Sequence, residues 1–154
     1  MIPQENLKLS GRLSIVVQDS DGNVKTTREV DNLVVTGGLT FIASRMGGVA
    51  KAVMSHMAVG TSVTAAAAGQ TDVQTILGSK QALTVAGGTP STTSIAYACT
   101  FGAGVSTGAI TEAAIFNSGT AATGDMLCRT VFAVINKGAL DTMTVNWTIN
   151  LVAV

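Results

Sequence analysis

The sequence predicts an all-β fold, an antiparallel β-sandwich that is jelly-roll-like and carries one short helix. Three observations predict it: about eight short segments are strand-like, runs of turn-forming residues separate them, and a single segment has helical spacing. The clearest strand runs from Thr142 to Leu151, where apolar residues alternate with Thr or Asn. This strand has one face for a core and one polar face without charge.

The first predicted elements form a β-hairpin. Two strand-like segments, Leu13 to Val17 and Val24 to Val30, flank the turn-forming run Asp19-Ser20-Asp21-Gly22-Asn23. The Asp and Asn residues around Gly22 also resemble the first half of a calcium-binding loop, but the twelfth position, where such a loop has a Glu, is Val30. We expect a plain hairpin turn.

The predicted helix follows a further strand-like segment, Asn32 to Val35. The apolar residues with the spacing of one helix face are Leu39, Phe41, Ile42 and Met46. We expect Thr36 to cap the helix and Gly47-Gly48 to end it. Gly37-Gly38 lacks the lysine and the spaced glycines of a phosphate-binding loop, so we expect these glycines to let the chain turn from strand into helix.

The rest of the chain alternates strands with loops. Met54 to Val59 predicts a strand that ends at Gly60, Thr61 to Gly69 predicts a loop, and Thr71 to Leu77 predicts one or two helical turns. The remaining strand-like segments are Lys80 to Val85, Thr93 to Phe101, Ile110 to Phe116, Met126 to Ile135 and Thr142 to Leu151.

Length and composition predict a single β-sandwich domain over residues 1–154, with residues 1–9 as an extended N-terminal arm. Charged residues make up 12% of the chain, against about 25% in an average globular domain, and nine basic residues balance nine acidic ones. The surface must therefore consist largely of Ser, Thr, Asn, Gly and Ala. Such a surface offers little like-charge repulsion, so we expect the protein to assemble with other protein.

Charge and hydropathy argue against several partners. Nucleic-acid binding lacks its electrostatic driving force because Lys and Arg are nowhere clustered. Apolar stretches such as Val131 to Ile135 are too short to span a bilayer, and the first residues lack the regions of a signal peptide, so we expect the protein to stay where it is made. Cys99 and Cys128 lie in apolar strand-like runs, which predicts buried free thiols.

Candidate catalytic residues are few. His56 is the only histidine, and on a strand its neighbour Ser55 is expected to point to the opposite face, where it cannot form a Ser-His pair. Glu112 has no second carboxylate near it in sequence, as a glycosidase would require. We therefore expect no enzyme, and we predict no catalytic, cofactor-binding or metal-binding residue and no cofactor.

Two structural roles are predicted instead. Glu112 and Arg129 each lie in an apolar segment, and half-buried charges need partners, so we expect an ion pair between them across neighbouring strands. Trp147 lies on the apolar face of its strand and is predicted to belong to the core.

Five segments carry a resemblance. They are Asn32-Leu33-Val34-Val35-Thr36-Gly37-Gly38-Leu39 with Ile42-Ala43, Met54-Ser55-His56-Met57-Ala58-Val59-Gly60-Thr61, Ile110-Thr111-Glu112-Ala113-Ala114-Ile115-Phe116-Asn117, Met126-Leu127-Cys128-Arg129 with Phe132, and Lys137 with Thr144-Val145-Asn146-Trp147-Thr148-Ile149. Together they cover most of the chain and resemble small virion structural proteins of tailed bacteriophages. That group includes capsid decoration or cement proteins and tail-fibre or tail-tip modules. Where it commonly has Glu-Ala-Gly-Leu-Phe, this chain has Ala114 in place of the glycine.

The resemblance implies a component of the virus particle and no catalytic residues. We expect a capsid decoration (cement) protein that binds the outer capsid surface and stabilises the shell. Its expected partners are the major capsid protein and further copies of itself, as a dimer or trimer, with no nucleic acid and no membrane. Its expected location is the capsid surface of the virion, after synthesis in the host cytoplasm.

The expected contacts lie in the arm, on the uncharged strand face and in the loop from Thr61 to Gly69. The interface residues predicted individually are Ile2, Pro3, Leu7, Thr144, Asn146 and Thr148. The alternative is a tail-fibre or baseplate module that recognises a host surface. Such a module would be expected to expose aromatic residues, which make up only 4% of this chain.

Overall fold

A computed structural model describes residues 6–154 and contains nine strands and one helix in that range. Along the chain they are β1 (Leu7–Gln18), β2 (Val24–Val34), α1 (Thr36–Met46), β3 (His56–Gly60), β4 (Gln81–Ala82), β5 (Thr89–Ser91), β6 (Ser94–Phe101), β7 (Gly108–Phe116), β8 (Met126–Lys137) and β9 (Thr142–Ala153). The strands pair antiparallel in the order β4-β3-β7-β8-β2-β1-β9-β6-β5. The prediction of an all-β antiparallel fold with one short helix is confirmed.

The sheet curls so that its two halves face each other like the layers of a sandwich. Only two residue pairs join the halves, Leu33 with Arg129 and Val34 with Cys128, at the junction of β2 and β8. At the other side the Thr84 N–H donates to the Ala98 carbonyl over 2.8 Å, which brings the segment after β4 against β6. The sandwich-like arrangement is therefore built from one continuous sheet.

The core lies between the two halves of the sheet. It is filled by the inward-facing side chains, which are every second residue of each strand. Among the fully buried residues of β9 are Met143, Val145 and Trp147. Trp147 pairs in register with Leu13 on β1 and with Tyr97 on β6. Its indole N–H donates to Asn32 Oδ1 over 2.7 Å, so its one polar group is satisfied. The prediction that Trp147 belongs to the core is confirmed.

One glycine makes room for the hydrogen bond of Trp147. Gly11 lies opposite Asn32 on β2 and opposite Ile149 on β9. A Cβ atom at Gly11 would overlap the side chain of Asn32, and that side chain would have to leave its place beside the indole. The strand therefore uses glycine here for space.

The N-terminus of α1 differs from the prediction that Thr36 caps the helix. The cap position is Val35, whose side chain accepts no hydrogen bond. The Thr36 N–H donates instead to the carbonyl of Ala68 over 2.8 Å, so a neighbouring loop satisfies it. At the other end the Gly47 N–H donates to the Ala43 carbonyl, in agreement with the predicted end at Gly47-Gly48.

Gly38, in the first turn of α1, serves helix packing rather than a turn between strand and helix. Gly37 and Gly38 lie inside the first turn of the helix. A Cβ atom at Gly38 would overlap the backbone of Leu127 on β8. The helix axis can therefore approach β8 closely, and Phe41 is buried in the core.

The prediction of helical turns between Thr71 and Leu77 is wrong. The N–H groups of Gln74 and Thr75 donate to the carboxylate of Glu112, so these donors are directed to a side chain rather than into a helical ladder. Ile76 forms an isolated antiparallel bridge with Gly60. The following predicted strand, Lys80 to Val85, is reduced to the two residues of β4.

Candidate functional site

The outward rows of three adjacent strands form one broad surface with little charge. We define the neutral face as these rows, which are Ser10, Ser14 and Val16 of β1, Thr144, Asn146, Thr148 and Asn150 of β9, and Ser94, Ala96, Ala98 and Thr100 of β6. The strands are in register, so Asn146 lies between Ser14 and Ala98 and Thr148 lies beside Ala96. The uncharged row predicted for one strand is thus continued by the rows of its two neighbours.

The outward row of β1 carries two cations, Lys8 near the start of the strand and Arg12 further along it, and Arg12 is paired with carboxylates. Arg12 stands in the outward row of β1, and its guanidinium lies 2.6 Å from the carboxylate of Glu29 and 3.6 Å from that of Asp31 on β2. These two contacts direct the guanidinium towards β2, while the backbone of Arg12 lies opposite Thr148 on β9. The neighbouring rows of β9 and β6 carry no charged residue.

The structure brings together only some of the residues predicted for the interface. Thr144, Asn146 and Thr148 share the neutral face. Leu7 is 59% exposed but begins β1, opposite Ala153, in the row that faces the core further along the strand. Ile2 and Pro3 lie outside the described residues. The residues of the predicted arm that the structure describes, from Leu7 onward, pair with β9.

Glu112 and Arg129 form the ion pair that the sequence predicts. Both side chains are fully buried, and the carboxylate oxygen Oε2 lies 2.7 Å from Arg129 Nη2 and 2.9 Å from Arg129 Nε. The two residues lie on β7 and β8, whose register places Arg129 opposite Ala114. The contact is therefore diagonal across two neighbouring strands.

The ion pair also binds the backbone of the loop that follows β3. The Glu112 carboxylate accepts hydrogen bonds from the N–H groups of Ser62, Gln74 and Thr75 over 3.2, 2.9 and 2.9 Å. Arg129 donates to the carbonyl of Thr64 over 3.0 Å and to Oε1 of Gln70 over 2.9 Å. Two buried charges thus hold both ends of the predicted contact loop, Thr61 to Gly69, against the sheet.

The Ser55–His56 pair contradicts the expectation from sequence. The Ser55 hydroxyl lies 2.8 Å from His56 Nδ1, although the two were expected to point to opposite faces. The reason is that β3 begins at His56, so Ser55 lies outside the regular alternation of the strand. The ring also lies against Gly119, where a Cβ atom would meet its Nε2 edge.

Two buried lysines were not predicted from the sequence. Lys80 donates to the carbonyl of Thr123 over 2.9 Å and stands 3.7 Å from the centre of the Phe116 ring. Lys137 donates to the carbonyl of Gly102 over 2.8 Å. Burial lowers the pKa of both ammonium groups. Neither contact has a local sequence signal, because the partners are backbone oxygens of distant loops.

In the hairpin turn the side chain of Asp19 accepts hydrogen bonds from the backbone of the turn itself. Asp19 Oδ1 accepts hydrogen bonds from the N–H groups of Asp21 and Asn23, both over 2.9 Å. Gly22 has a positive φ of 83°, which glycine adopts without strain. The plain hairpin turn predicted between β1 and β2 is confirmed.

Cys99 and Cys128 are free and buried, as predicted. Burial raises the pKa of Cys99 from its ordinary value of 9.0 to about 12, and it raises the pKa of Cys128 well above 9.0. A folded-state pKa above the unfolded one means that the folded protein binds more protons between the two values. The stability that the thiols contribute is therefore complete below pH 9 and is lost as the pH rises towards 12.

We expect the melting temperature to fall between pH 9 and pH 11 more steeply in the wild type than in a Cys99→Ala/Cys128→Ala variant. The variant is the reference because Lys80 and Lys137, whose pKa values are lowered, act in the opposite direction in this range. Differential scanning calorimetry in steps of pH measures both slopes. Equal slopes in the two proteins would show that the thiols ionise in the folded state as readily as in the unfolded state.

Three further findings delimit the site. In residues 6–154 no group of three or more His, Cys, Asp or Glu side chains is arranged to hold a metal ion. The helix of this part of the chain is not long and apolar enough to cross a membrane. No family model, curated protein or solved structure matches the chain. The neutral face and the ion pair that braces the neighbouring loop are therefore the features from which a function is inferred.

Proposed function

We propose that this protein is a bacteriophage virion structural protein, a capsid decoration protein that binds the outer surface of the shell and stabilises it. The observation that carries the proposal is the neutral face, which extends over three adjacent strands and whose neighbouring cation Arg12 is paired with Glu29 and Asp31. The resemblance of five segments to small virion proteins of tailed phages supplies the class of particle. The proposed partners are the major capsid protein and further copies of this chain.

The chemistry of the neutral face suits contact with other protein. Removing Ser, Thr, Asn and Ala side chains from water costs far less than removing unpaired charges, provided that the polar groups find hydrogen-bond partners. A stable interface needs about 800 Å² from each partner. Many symmetric copies that each bridge neighbouring shell subunits add up to a large stabilisation of the particle.

The braced loop provides a second contact region beside β3. Exposed loops usually lose conformational entropy when they bind. Here the N–H groups of Ser62 and Thr75 donate to Glu112, and Arg129 donates to the carbonyl of Thr64, so the loop is held in place in the free protein. A loop that is ordered in advance costs less to bind, which favours a structural role for this region.

A rebinding experiment tests the proposal. Purified protein is mixed with phage particles that lack it, the bound amount is measured, and the particles are heated until the genome is released. We expect the wild type to bind the shell and to raise the temperature of genome release. Asn146→Arg, in the middle of the neutral face, is expected to abolish rebinding because it buries an unpaired charge.

Asn136→Arg is the matched control. Asn136 is an exposed asparagine on β8, in the other half of the sheet. It should bind as the wild type does, and equal loss in both variants would contradict the role of the neutral face. Labelling confined to the tail, with unchanged shell stability, would favour the tail-fibre or baseplate alternative.

A further inference from the structure

A pocket of about 280 Å³ lies between α1 and the inner faces of β1, β9 and β6. α1 packs on β8, where Gly38 lies against the backbone of Leu127, and Leu127 and Phe41 are also part of the pocket wall. Its walls are almost entirely aliphatic or aromatic, and they include Leu9, Ile42, Met46, Ile95 and Ile149. The core of the protein thus continues into a cavity that reaches the surface.

Several walls of the pocket remain in contact with solvent. Leu9, Ile42 and Ile95 are only half-buried although they pack against the core, and Met46 at the rim is 82% exposed. Val53, also in the wall, is 39% exposed. Burying these exposed apolar side chains against an apolar molecule would remove them from water. The free energy of binding such a molecule is therefore favourable.

The polar groups of the pocket indicate the charge of the occupant. Among the described residues that line it, Arg45 is the only charged one. One guanidinium N–H of Arg45 donates to the carbonyl of Lys51 over 2.9 Å, which positions the cation at the pocket. The phenol of Tyr97 is the other polar side chain in the wall. An apolar pocket with one cation at its wall is complementary in polarity and charge to an aliphatic chain with one anionic end.

The volume limits the length of that chain. If a methylene group takes about the volume of a water molecule in the liquid, about 30 Å³, the pocket holds a chain of roughly nine carbons. We propose that this pocket binds a free medium-chain carboxylate, with the chain between α1 and the strands and the carboxylate on Arg45. A lipid with two long chains is too large for it. This inference is independent of the proposed function in virus particles.

Calorimetric titration with a series of unbranched carboxylates tests the proposal. Hexanoate, octanoate, decanoate and dodecanoate are used below their micelle concentrations. We expect one molecule bound per chain and an affinity that rises about fourfold for each added methylene up to octanoate or decanoate. Beyond the length of the pocket the affinity should level off. A continued rise to dodecanoate, or no binding of decanoate at all, would overturn the proposal.

Variants and a second amphiphile test whether Arg45 contributes to binding and whether binding takes place in the pocket. Arg45→Gln should weaken decanoate by about two- to fivefold and leave decanol unchanged, because an exposed ion pair contributes little. Arg12→Gln, beside the neutral face and outside the pocket lining, is the matched control and should bind decanoate as the wild type does. Ile42→Trp should block the pocket for both decanoate and decanol.

Two outcomes would assign the pocket differently. Equal binding of decanoate and decyltrimethylammonium would show that Arg45 does not select an anion, and the proposal would then fail. If sedimentation shows a dimer that Met46→Lys dissociates, and decanoate does not bind to the resulting monomer, a second copy of the chain is the occupant. Circular dichroism of each variant confirms that it is folded before either conclusion is drawn.

Discussion

Replacing Arg129 with leucine is expected to lower the free energy of unfolding by about 3–5 kcal/mol, because the buried Glu112 carboxylate then loses its counter-charge. Both side chains are fully buried, so water cannot take the place of the guanidinium. The leucine also leaves the carbonyl of Thr64 without its Arg129 donor and removes one of the two donors to Gln70 Oε1, whose other donor is the Ala67 N–H. Urea denaturation at neutral pH, followed by the fluorescence of Trp147, measures the loss.

The matched control is Arg12→Leu, which breaks an ion pair of similar length on the surface. The side chains of Arg12 and Glu29 are more than half exposed, so the expected loss is at most about 1 kcal/mol. A loss below 1 kcal/mol for Arg129→Leu as well would contradict the role assigned to the buried pair.

The double variant Glu112→Leu/Arg129→Leu separates two explanations. In many proteins a buried ion pair can be replaced by apolar residues without loss. Here the carboxylate also accepts three backbone hydrogen bonds, from Ser62, Gln74 and Thr75, and an unsatisfied buried donor costs about 1–3 kcal/mol. We therefore expect the double variant to remain destabilised, with the loop after β3 more open to protease. Recovery of wild-type stability would show that the charges alone matter.

Replacing Trp147 with alanine is expected to lower the free energy of unfolding by about 3–5 kcal/mol. Trp147 is fully buried between Leu13 of β1 and Tyr97 of β6, the two strands that pair with β9. Alanine would leave a large cavity at the centre of the core. Because Trp147 is the only tryptophan, the urea transition has to be followed by far-ultraviolet circular dichroism.

Trp147→Phe separates the contribution of the buried ring to stability from that of the indole hydrogen bond. Phenylalanine keeps an aromatic ring but cannot donate to Asn32 Oδ1, whose only partner among the described side chains is the indole N–H. We expect a loss of about 1–3 kcal/mol, smaller than that of the alanine variant. Equal losses in the two variants would mean that the hydrogen bond, and not the volume, accounts for the effect.

The strands with strict alternation could be predicted from the sequence, and the reason is local. Burial of every second residue leaves a pattern of period two, as at Thr142 to Leu151, and glycines mark the ends. The order of the strands could not be predicted in this way. Alternation shows which face of a strand is buried but not which strand lies beside it. The pairing of β2 with β8 at the narrow junction could therefore not be predicted from the sequence.

The Glu112–Arg129 pair could be predicted because each charge interrupts an apolar segment. Its other partners could not, since Ser62, Gln74 and Thr75 contribute backbone N–H groups, which every residue except proline possesses. The same limit applies to the error at Thr71 to Leu77, where a distant carboxylate directs the backbone out of a helix. The Ser55–His56 contact was not predicted because the strand was expected to begin at Met54, whereas β3 begins at His56 and Ser55 lies outside its regular alternation.

The pairing of β1 with β9 joins two strands that are far apart in the sequence and are therefore synthesised at different times. These strands form a continuous ladder from Leu7 with Ala153 to Gln18 with Thr142, and the bond between Asn32 and Trp147 spans 115 positions. During synthesis the edge of β1 that pairs with β9 therefore stays unpaired until β9 has been made. Until then the backbone N–H and C=O groups of that edge are free to pair with strands of other nascent chains.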